Sequence, residues 1–435
     1  MITIWLDPNN WKKEKLPEER RPAVKDRIYQ SLLVYYVRNH IPFDEIEYRD
    51  IPEFTNSSIN GWNDSSHNIC IIRSAASQSL IDIFKKYSDI IRWCNNNNIT
   101  FAIDCAFEIL DSMLPYEPLP VLESMNLILD KVSVVPNKFK IFTNQPPVNN
   151  DIIKKAMIAE WDDYIVHTDY FKYYCGAFLG YRNIIPPQVE NKYLFSSFIG
   201  EVGRHKPHRT KALAGFKREG LDKNAFLSWF SRDEPLYHED NDNIWEGRSE
   251  VFTWSNNEYD IRHVLSKLSF EGNKIGREDK RIPMAMFESH FNIVMESYTV
   301  RDIASWTEKT YKPIACQKPF IIISSNNINK LLTKTWTHKN ANDDPNFDAN
   351  VWQIFPEIFD YSFEDTYDED EYVENFIKEI IRVSKEPASI WTQPSVIQKT
   401  KHNYDKLVND TAPQKVKEHV IDMLTSGRNY KDLIE

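Results

Sequence analysis

The chain has 435 residues, a formal net charge of −11 from 64 acidic and 53 basic side chains, and a hydrophobic fraction of 41%. This length predicts roughly two to three domains, and the apolar content can fill packed cores. The 23 prolines and 11 glycines argue against a Gly/Pro-rich disordered or collagen-like chain. The negative charge argues against a broad surface for nucleic acids or membranes, so a polyanion must meet a local basic patch.

Targeting and redox signals are sparse. No apolar run reaches the roughly 20 residues of a membrane span, and the first residues lack the basic segment of a secretory signal. We therefore expect a cytoplasmic protein without a membrane span. The 5 cysteines are scattered without a C-x-x-C pair, which predicts reduced thiols rather than disulfides or a cysteine-based zinc site.

The first part of the chain, residues 1–187, shows signals of an open α/β sheet after a start, 1–65, in which little can be assigned. Short apolar runs predict strands at 68–73, 99–104, 138–143 and 163–167, and helical spacing predicts helices at 77–93 and 152–160. The first two strands and the helix between them form a β-α-β unit, so we expect parallel pairing.

A second α/β domain is predicted over residues 188–385, because the periodicity lapses around Pro186 and then returns. Strands are predicted at 192–199, 225–230, 290–296 and 319–324, and helices at 207–219, 306–317, 372–383 and 416–424. The last of these helices belongs to a helical tail, 386–435, which we expect to pack back on the first domain. Two α/β domains in series predict a central cleft.

A basic run, Gly-Glu-Val-Gly-Arg-His-Lys-Pro-His-Arg over residues 200–209, lies between a predicted strand and a predicted helix. Proline favours the first helical turn, where unpaired N–H groups and the helix dipole attract anions. Arg204, Lys206 and Arg209 add positive charge at a place where basic side chains are unfavourable without an anion. The run therefore predicts a phosphate site, and a solvated basic helix start is the alternative.

A second polar cluster joins the end of a predicted strand, Glu296-Ser297, to a predicted helix start, Thr307-Glu308-Lys309. Ligands of open α/β sheets bind just outside the carboxyl ends of the strands. A lysine suits a diphosphate, and a carboxylate accepts hydrogen bonds from ribose hydroxyls. The alternative is an ordinary helix cap, with Thr307 as N-cap and Glu308 in the first turn.

These two clusters carry a resemblance to a known family. The segments Val-Met-Glu-Ser, 294–297, and Trp-Thr-Glu-Lys, 306–309, resemble the donor-binding motif of α1,3-fucosyltransferase-like glycosyltransferases, where Phe-Glu-Asn-Ser precedes Thr-Glu-Lys. They also resemble glycosyltransferase-like proteins of large DNA phages and viruses, whose Arg-Pro-Arg-Pro-His-Arg-type run is similar to residues 203–209. The resemblance covers about residues 190–385. It implies the GT-B fold, two facing Rossmann-like domains that here carry a C-terminal helical tail.

Carried over residue by residue, the resemblance implies that Glu308 binds the donor ribose and Lys309 the diphosphate. Arg204 or Arg209 matches the phosphate-binding arginine, and Ser297 stands where the family has asparagine. Lys206, Glu296 and Thr307, which belong to the two polar clusters, complete the predicted donor-binding set. For a chain encoded by a virus, the expected location is the host cytoplasm.

The implied reaction is an inverting sugar transfer from a nucleotide sugar to an acceptor hydroxyl of a glycan or another molecule, with no metal or other cofactor. A carboxylate removes the hydroxyl proton while positive groups stabilise the leaving diphosphate. We expect this base on the first domain, where Asp104 ends a predicted strand and Glu108 lies just beyond it. A capping or solvated acid is the alternative at each position.

Several alternatives stay open at this point. Paired carboxylates that suit Mg²⁺ or Mn²⁺ occur at Asp240 and Asp242, Asp343 and Asp344, and Asp368 and Asp370, although none directly follows a convincing strand. The acceptor could be hydroxymethylated phage DNA, for which 11–27 is the dense basic segment. A third possibility is a non-catalytic nucleotide- or sugar-binding protein or a virion component.

Overall fold

The computed structural model describes residues 2–6, 46–51, 67–73, 80–105, 132–143, 165–168, 170–201, 207–230, 282–296, 306–324, 328–333 and 352–425. The chain divides into two units, Met1–Tyr170 with Ala412–Glu435, and Phe171–Thr411. The division falls at Tyr170, earlier than the boundary predicted near Pro186, and again at Thr411, inside the predicted tail.

A parallel sheet forms the centre of the first unit. Its strands are β1 (Ile2–Leu6), β2 (Ile46–Asp50), β3 (His67–Arg73), β4 (Thr100–Cys105), β5 (Phe139–Thr143) and β6 (Ile165–His167), in the order β2-β1-β3-β4-β5-β6. Every neighbouring pair is parallel. Strands buried on both faces of a parallel sheet have continuous apolar runs. Such runs predicted β3 to β6, whereas β1 and β2 were not predicted.

Helices α1 (Leu80–Lys86) and α2 (Ser88–Asn96) follow β3 and precede β4 in the chain, and they pack on this sheet. The single helix predicted over 77–93 is therefore interrupted at Tyr87. Both helices contribute to an apolar core with the strands, which includes Ile83, Phe84, Ile91, Trp93, Phe101, Ile103, Phe139 and Ile141. The predicted β-α-β unit is confirmed, because β3 and β4 pair in parallel.

The first unit is completed by α10 (Pro413–Thr425), close to the end of the chain. Lys140 of β5, only 2% exposed, donates to the carbonyl oxygens of Met423 at 3.0 Å and Leu424 at 3.2 Å. The last carbonyls of a helix lack intrahelical partners and carry partial negative charge, so a lysine there is favourable. On the same helix, His419 Nε2 lies 2.8 Å from the carbonyl oxygen of Thr168.

A second parallel sheet forms the centre of the second unit. It comprises β7 (Tyr193–Glu201), β8 (Ala225–Phe230), β9 (Ser289–Met295) and β10 (Phe320–Ile323), in the order β10-β9-β7-β8. All neighbouring pairs are again parallel. These four strands match the predicted ones. The predicted α/β class, with parallel sheets and C-terminal helices, is therefore confirmed.

The helices described in the second unit begin with α3 (Tyr170–Tyr173), which starts at the division and continues into a π-helical turn, Tyr174–Phe178. The others are α4 (Pro207–Arg218), α5 (Met284–Phe287), α6 (Glu308–Ala315), α7 (Ile328–Leu332), α8 (Glu369–Val383) and α9 (Pro394–Asp410). Throughout the described ranges, no helix is long and apolar enough to cross a membrane.

Close packing holds α4 against α8. A Cβ atom at Gly215 would overlap the buried side chain of Ile377, so glycine allows the two helices to approach. Polar contacts flank this point, because Lys211 pairs with Asp370 and Arg218 Nη2 lies 2.9 Å from Glu374 Oε2. The position of α4 is important for the site, since its first turn carries two of the residues described below.

Candidate functional site

The carboxyl edge of the second sheet is the region where the predicted site residues meet. Because β7 and β9 are parallel, both end at this edge, and α4 and α6 follow them in the chain. The backbone N–H of Glu296 donates to the carbonyl oxygen of Ile323 at 3.2 Å, which extends the pairing of β9 with β10 by one step. Open α/β sheets bind ligands at such an edge.

The carboxylate of Glu296 is 1% exposed and accepts three hydrogen bonds from the start of α6. Oε1 accepts from the backbone N–H of Thr307 at 2.8 Å and from the hydroxyl of Thr310 at 2.7 Å, and Oε2 accepts from the Thr307 hydroxyl at 2.6 Å. Both oxygens are thus occupied by protein donors. The geometry favours a positioning role for Glu296 over the direct donor contact that was predicted.

The backbone carbonyl of Glu296 is held from the other side by the first turn of α4. His208 Nε2 lies 3.0 Å from this oxygen and Arg209 Nε donates to it at 3.2 Å, while Arg209 Nη2 donates to the carbonyl of Met295 at 2.9 Å. Both side chains are buried. The structure therefore directs Arg209 at the end of β9, and its predicted phosphate contact stays a prediction.

Glu308 and Lys309 form an accessible ion pair in the first turn of α6. Lys309 Nζ lies 3.0 Å from Glu308 Oε1, and the two side chains are 18% and 28% exposed. Burial opposes ionisation of Glu308, but the charges of Lys309 and Lys312, together with hydrogen bonds from Lys309 and from the backbone, outweigh it and lower the pKa of this carboxyl to about 2. The pair thus offers an ionised acceptor and a cation side by side.

Thr307 is the N-cap of α6, as the helix-cap interpretation of the sequence expected. Its hydroxyl oxygen accepts from the backbone N–H of Lys309 at 3.4 Å and from Lys309 Nζ at 3.2 Å. A threonine at this position satisfies an N–H group that the helix leaves without a partner. The same residue therefore caps the helix and contacts the lysine ammonium.

A buried tyrosine lies within electrostatic range of the pair. Burial raises the pKa of Tyr181 well above its usual range, and the neighbouring Cys175 and Glu308 act in the same direction. Tyr181 is fully buried and lies in a 3₁₀ turn, Tyr181–Asn183. The π-helical turn that precedes it in the chain packs against α6. The phenol stays neutral and contributes no charge to the site.

Of the two predicted bases, Asp104 and Glu108, the structure describes Asp104. It occupies the end of β4, is 4% exposed, and is in register with Arg73 of β3 and Phe142 of β5. Asp104 therefore lies at the carboxyl edge of the first sheet, the kind of edge at which open α/β sheets bind ligands. The assignment of Asp104 as base stays a prediction.

Four other predicted site residues, Glu108, Arg204, Lys206 and Ser297, lie outside the described residues. The remaining predicted ones of the second unit, Arg209, Glu296, Thr307, Glu308 and Lys309, come together at one edge of one sheet. The two sequence clusters are therefore joined in space through the end of β9.

The acidic pairs give no metal site in the part of the chain that is described. Asp368 caps α8 by accepting from the N–H groups of Asp370 and Glu371, both at 3.0 Å, and Asp370 pairs with Lys211. The pairs at 240–242 and 343–344 lie outside the described residues. Within the described ranges, no group of three or more His, Cys, Asp or Glu side chains is arranged to hold a metal ion. The absence of a metal requirement stays a prediction.

Sequence reasoning did not assign Thr310 and His208 to the site. Thr310 lies three residues after the N-cap, on the side of the first turn that faces β9, and this spacing is the signal that could have identified it. His208 stands inside the basic run, next to Arg209, but its contact with a backbone carbonyl has no sequence signature.

A further buried carboxylate, Glu364, was also not predicted. It is fully buried and accepts from Asn329 N and Nδ2, both at 2.8 Å, and from the N–H of Lys330 at 3.3 Å. Burial raises its pKa to about 7 against these hydrogen bonds. Asn329 in turn exchanges two hydrogen bonds with the backbone of Ile322, so this network secures the edge strand β10.

Comparisons with known proteins were made at the level of sequence and of fold. No protein-family model matches the chain, and no curated protein sequence matches it. Among solved structures, the chain is similar to an α1,3-fucosyltransferase, with a TM-score of 0.39 and 9% identity over 97% of this chain and 90% of that one. An α1,3-fucosyltransferase with GDP gives a TM-score of 0.35 and 10% identity over the same shares.

A third similar structure is a GtfA/B complex, with a TM-score of 0.31 and 10% identity over 78% of this chain and 60% of that one. At such identities the roles of individual residues depend on the geometry of the site itself.

Proposed function

We propose that this chain is a GT-B glycosyltransferase that transfers a sugar from a nucleotide-sugar donor to an acceptor hydroxyl, with inversion and without a metal ion. The observation that carries the proposal is the accessible Glu308–Lys309 pair at the carboxyl edge of a parallel sheet, on a helix start that Glu296 holds in place. The resemblance of this segment to the Thr-Glu-Lys donor motif supports it.

Each member of the pair has a chemical role in this proposal. The Lys309 ammonium neutralises the diphosphate of the donor, first as it binds and then as negative charge develops on the leaving group. Glu308 is ionised at neutral pH and therefore accepts hydrogen bonds from the two ribose hydroxyls.

The reaction then needs one carboxylate base, for which Asp104 is our candidate. The base takes the proton of the acceptor hydroxyl, and the acceptor oxygen forms a bond to the anomeric carbon of the sugar. The bond between that carbon and the diphosphate oxygen breaks, and the nucleoside diphosphate leaves with the electron pair. The acceptor is a glycan or another hydroxyl compound.

A thermal-shift screen with UDP, GDP, CMP and the corresponding nucleotide sugars tests donor binding. We expect one nucleotide family to raise the unfolding temperature, and Lys309→Ala to abolish this shift because the diphosphate loses its cation. The matched control is Lys330→Ala, which removes an exposed lysine paired with Asp365 and should leave the shift unchanged. The absence of a shift with every nucleotide in the unmodified protein would refute the proposal.

A further inference from the structure

The hydroxyl of Thr307 lies between the buried carboxylate of Glu296 and the ammonium of Lys309. It donates to Glu296 Oε2 at 2.6 Å, and its oxygen accepts from Lys309 Nζ at 3.2 Å and from the Lys309 backbone N–H at 3.4 Å. Three residues that are not adjacent along the chain are thus connected through one hydroxyl group.

The hydrogen bonds around this hydroxyl have a defined direction. A hydroxyl has one proton and two lone pairs, whereas an ionised carboxylate only accepts and an ammonium only donates. As long as the carboxylate of Glu296 takes the proton of Thr307, both lone pairs of the hydroxyl oxygen are free for the two N–H donors of Lys309. An amide in place of the carboxylate could donate to Thr307 and would compete with Lys309 for these lone pairs.

We propose that Glu296 is a positioning residue for Lys309 and acts on it through the Thr307 hydroxyl. Glu296 fixes the orientation of that hydroxyl, and the hydroxyl in turn holds the ammonium next to Glu308. The consequence for donor binding rests on the function proposed above. The hydrogen-bond arrangement itself is a property of the protein without a ligand and is testable by itself.

Thr310 separates this role from a general stabilising role of the carboxylate. Its hydroxyl also donates to Glu296, at 2.7 Å, and it is fully buried. Lys309, however, contacts the hydroxyl of Thr307. If Glu296 acted on Lys309 only by anchoring α6, loss of the Thr310 hydroxyl, which removes one of the anchoring hydrogen bonds, would also affect Lys309. In the arrangement proposed here it does not.

Competitive labelling of lysine amines with trace acetic anhydride, quantified by mass spectrometry, measures the reactivity of the Lys309 amine relative to the other lysines. We expect Glu296→Gln and Thr307→Val to raise the relative acylation rate of Lys309 by about fivefold, because the charged amine loses hydrogen-bond acceptors. Thr307→Ser keeps the hydroxyl and should restore the rate of the unmodified protein. Thr310→Val is the matched control and should leave the rate unchanged, and circular dichroism checks that each variant is folded.

The outcomes distinguish this inference from the proposed function. An unchanged Lys309 rate in folded Glu296→Gln, or equal increases in Thr307→Val and Thr310→Val, would overturn the inference whether or not a nucleotide binds. If Glu296→Gln does not fold, an unchanged Lys309 rate in folded Thr307→Val overturns the inference, because the hydroxyl would then not act on Lys309. Failure of every nucleotide to bind the unmodified protein refutes the proposed function alone. Where a nucleotide does bind, its affinity should fall roughly tenfold in Thr307→Val and be restored in Thr307→Ser, which keeps the hydroxyl.

Discussion

The first unit contains a buried lysine and the second a buried arginine, and each donates hydrogen bonds to backbone carbonyl oxygens at the end of a helix or strand. Lys140 donates to the last turn of α10 and Arg209 to the end of β9, and each is only 2% exposed. Burial lowers the pKa of Lys140 to about 8, with Asp422 opposing the shift, whereas a guanidinium stays charged at any physiological pH. The contact that holds α10 can therefore titrate, while the contact that Arg209 makes with the end of β9 stays charged.

The largest expected effect is the loss of the arginine. Arg209→Met should lower the free energy of unfolding by about 3 kcal/mol, because buried carbonyl groups at the end of β9 lose their charged donors. Chemical unfolding followed by circular dichroism measures this. A loss below about 1 kcal/mol would show that the guanidinium does not hold the strand end.

The lysine is expected to show its effect through pH. Between about pH 8 and its unfolded pKa near 10.5, Lys140 binds more protons in the unfolded chain than in the folded one, so stability rises with pH over this window. The gain is lost again as the pH falls through about 8. Relative to Lys140→Met, the unmodified protein should gain about 2 kcal/mol from about pH 7.5 to about pH 9.5.

If the free energies of unfolding of the unmodified protein and of Lys140→Met change in parallel over this pH range, Lys140 does not titrate there. A difference between the curves of the expected sign would sharpen the contrast with Arg209, whose charge does not change in this range.

The smallest effect is expected for an exposed cation that pairs with carboxylates instead of carbonyls. Arg218 on α4 contacts Glu219 and Glu374, and its side chain is 40% exposed. Arg218→Ala should therefore change the unfolding free energy by less than about 0.5 kcal/mol, measured in the same way as Arg209→Met. An effect as large as that of Arg209 would show that burial is not what separates the two arginines of this helix.

Strong apolar patterns predicted most of the described sheet strands, and weak ones account for the failures. The run Asn68–Arg73 is apolar over four consecutive positions, and β3 forms there. Helix α9 was not predicted, because its apolar stripe is weak. The buried face of the helix contains the polar residues Thr400 and Asn403 besides Val396 and Leu407.

For the candidate site, the sequence predicted which residues would come together, but not which of them would be enclosed by protein donors and which would stay exposed to a ligand. Glu296 and Glu308 are both carboxylates near the same edge, yet one is fully enclosed by threonine donors and the other is accessible beside a lysine. That difference is set by the distance between β9 and the first turn of α6 in the folded chain. Residue type and spacing alone do not contain it.

The crossing of the chain back into the first unit has a consequence for how the protein is made. Synthesis delivers the strands β1 to β6 early, but α10, whose carbonyls receive the buried Lys140, emerges only after residue 412. The first unit is therefore completed only after the whole second unit has been synthesised, and until then Lys140 remains without these acceptors. A nascent chain stalled before α10 should bind a chaperone through this uncovered region.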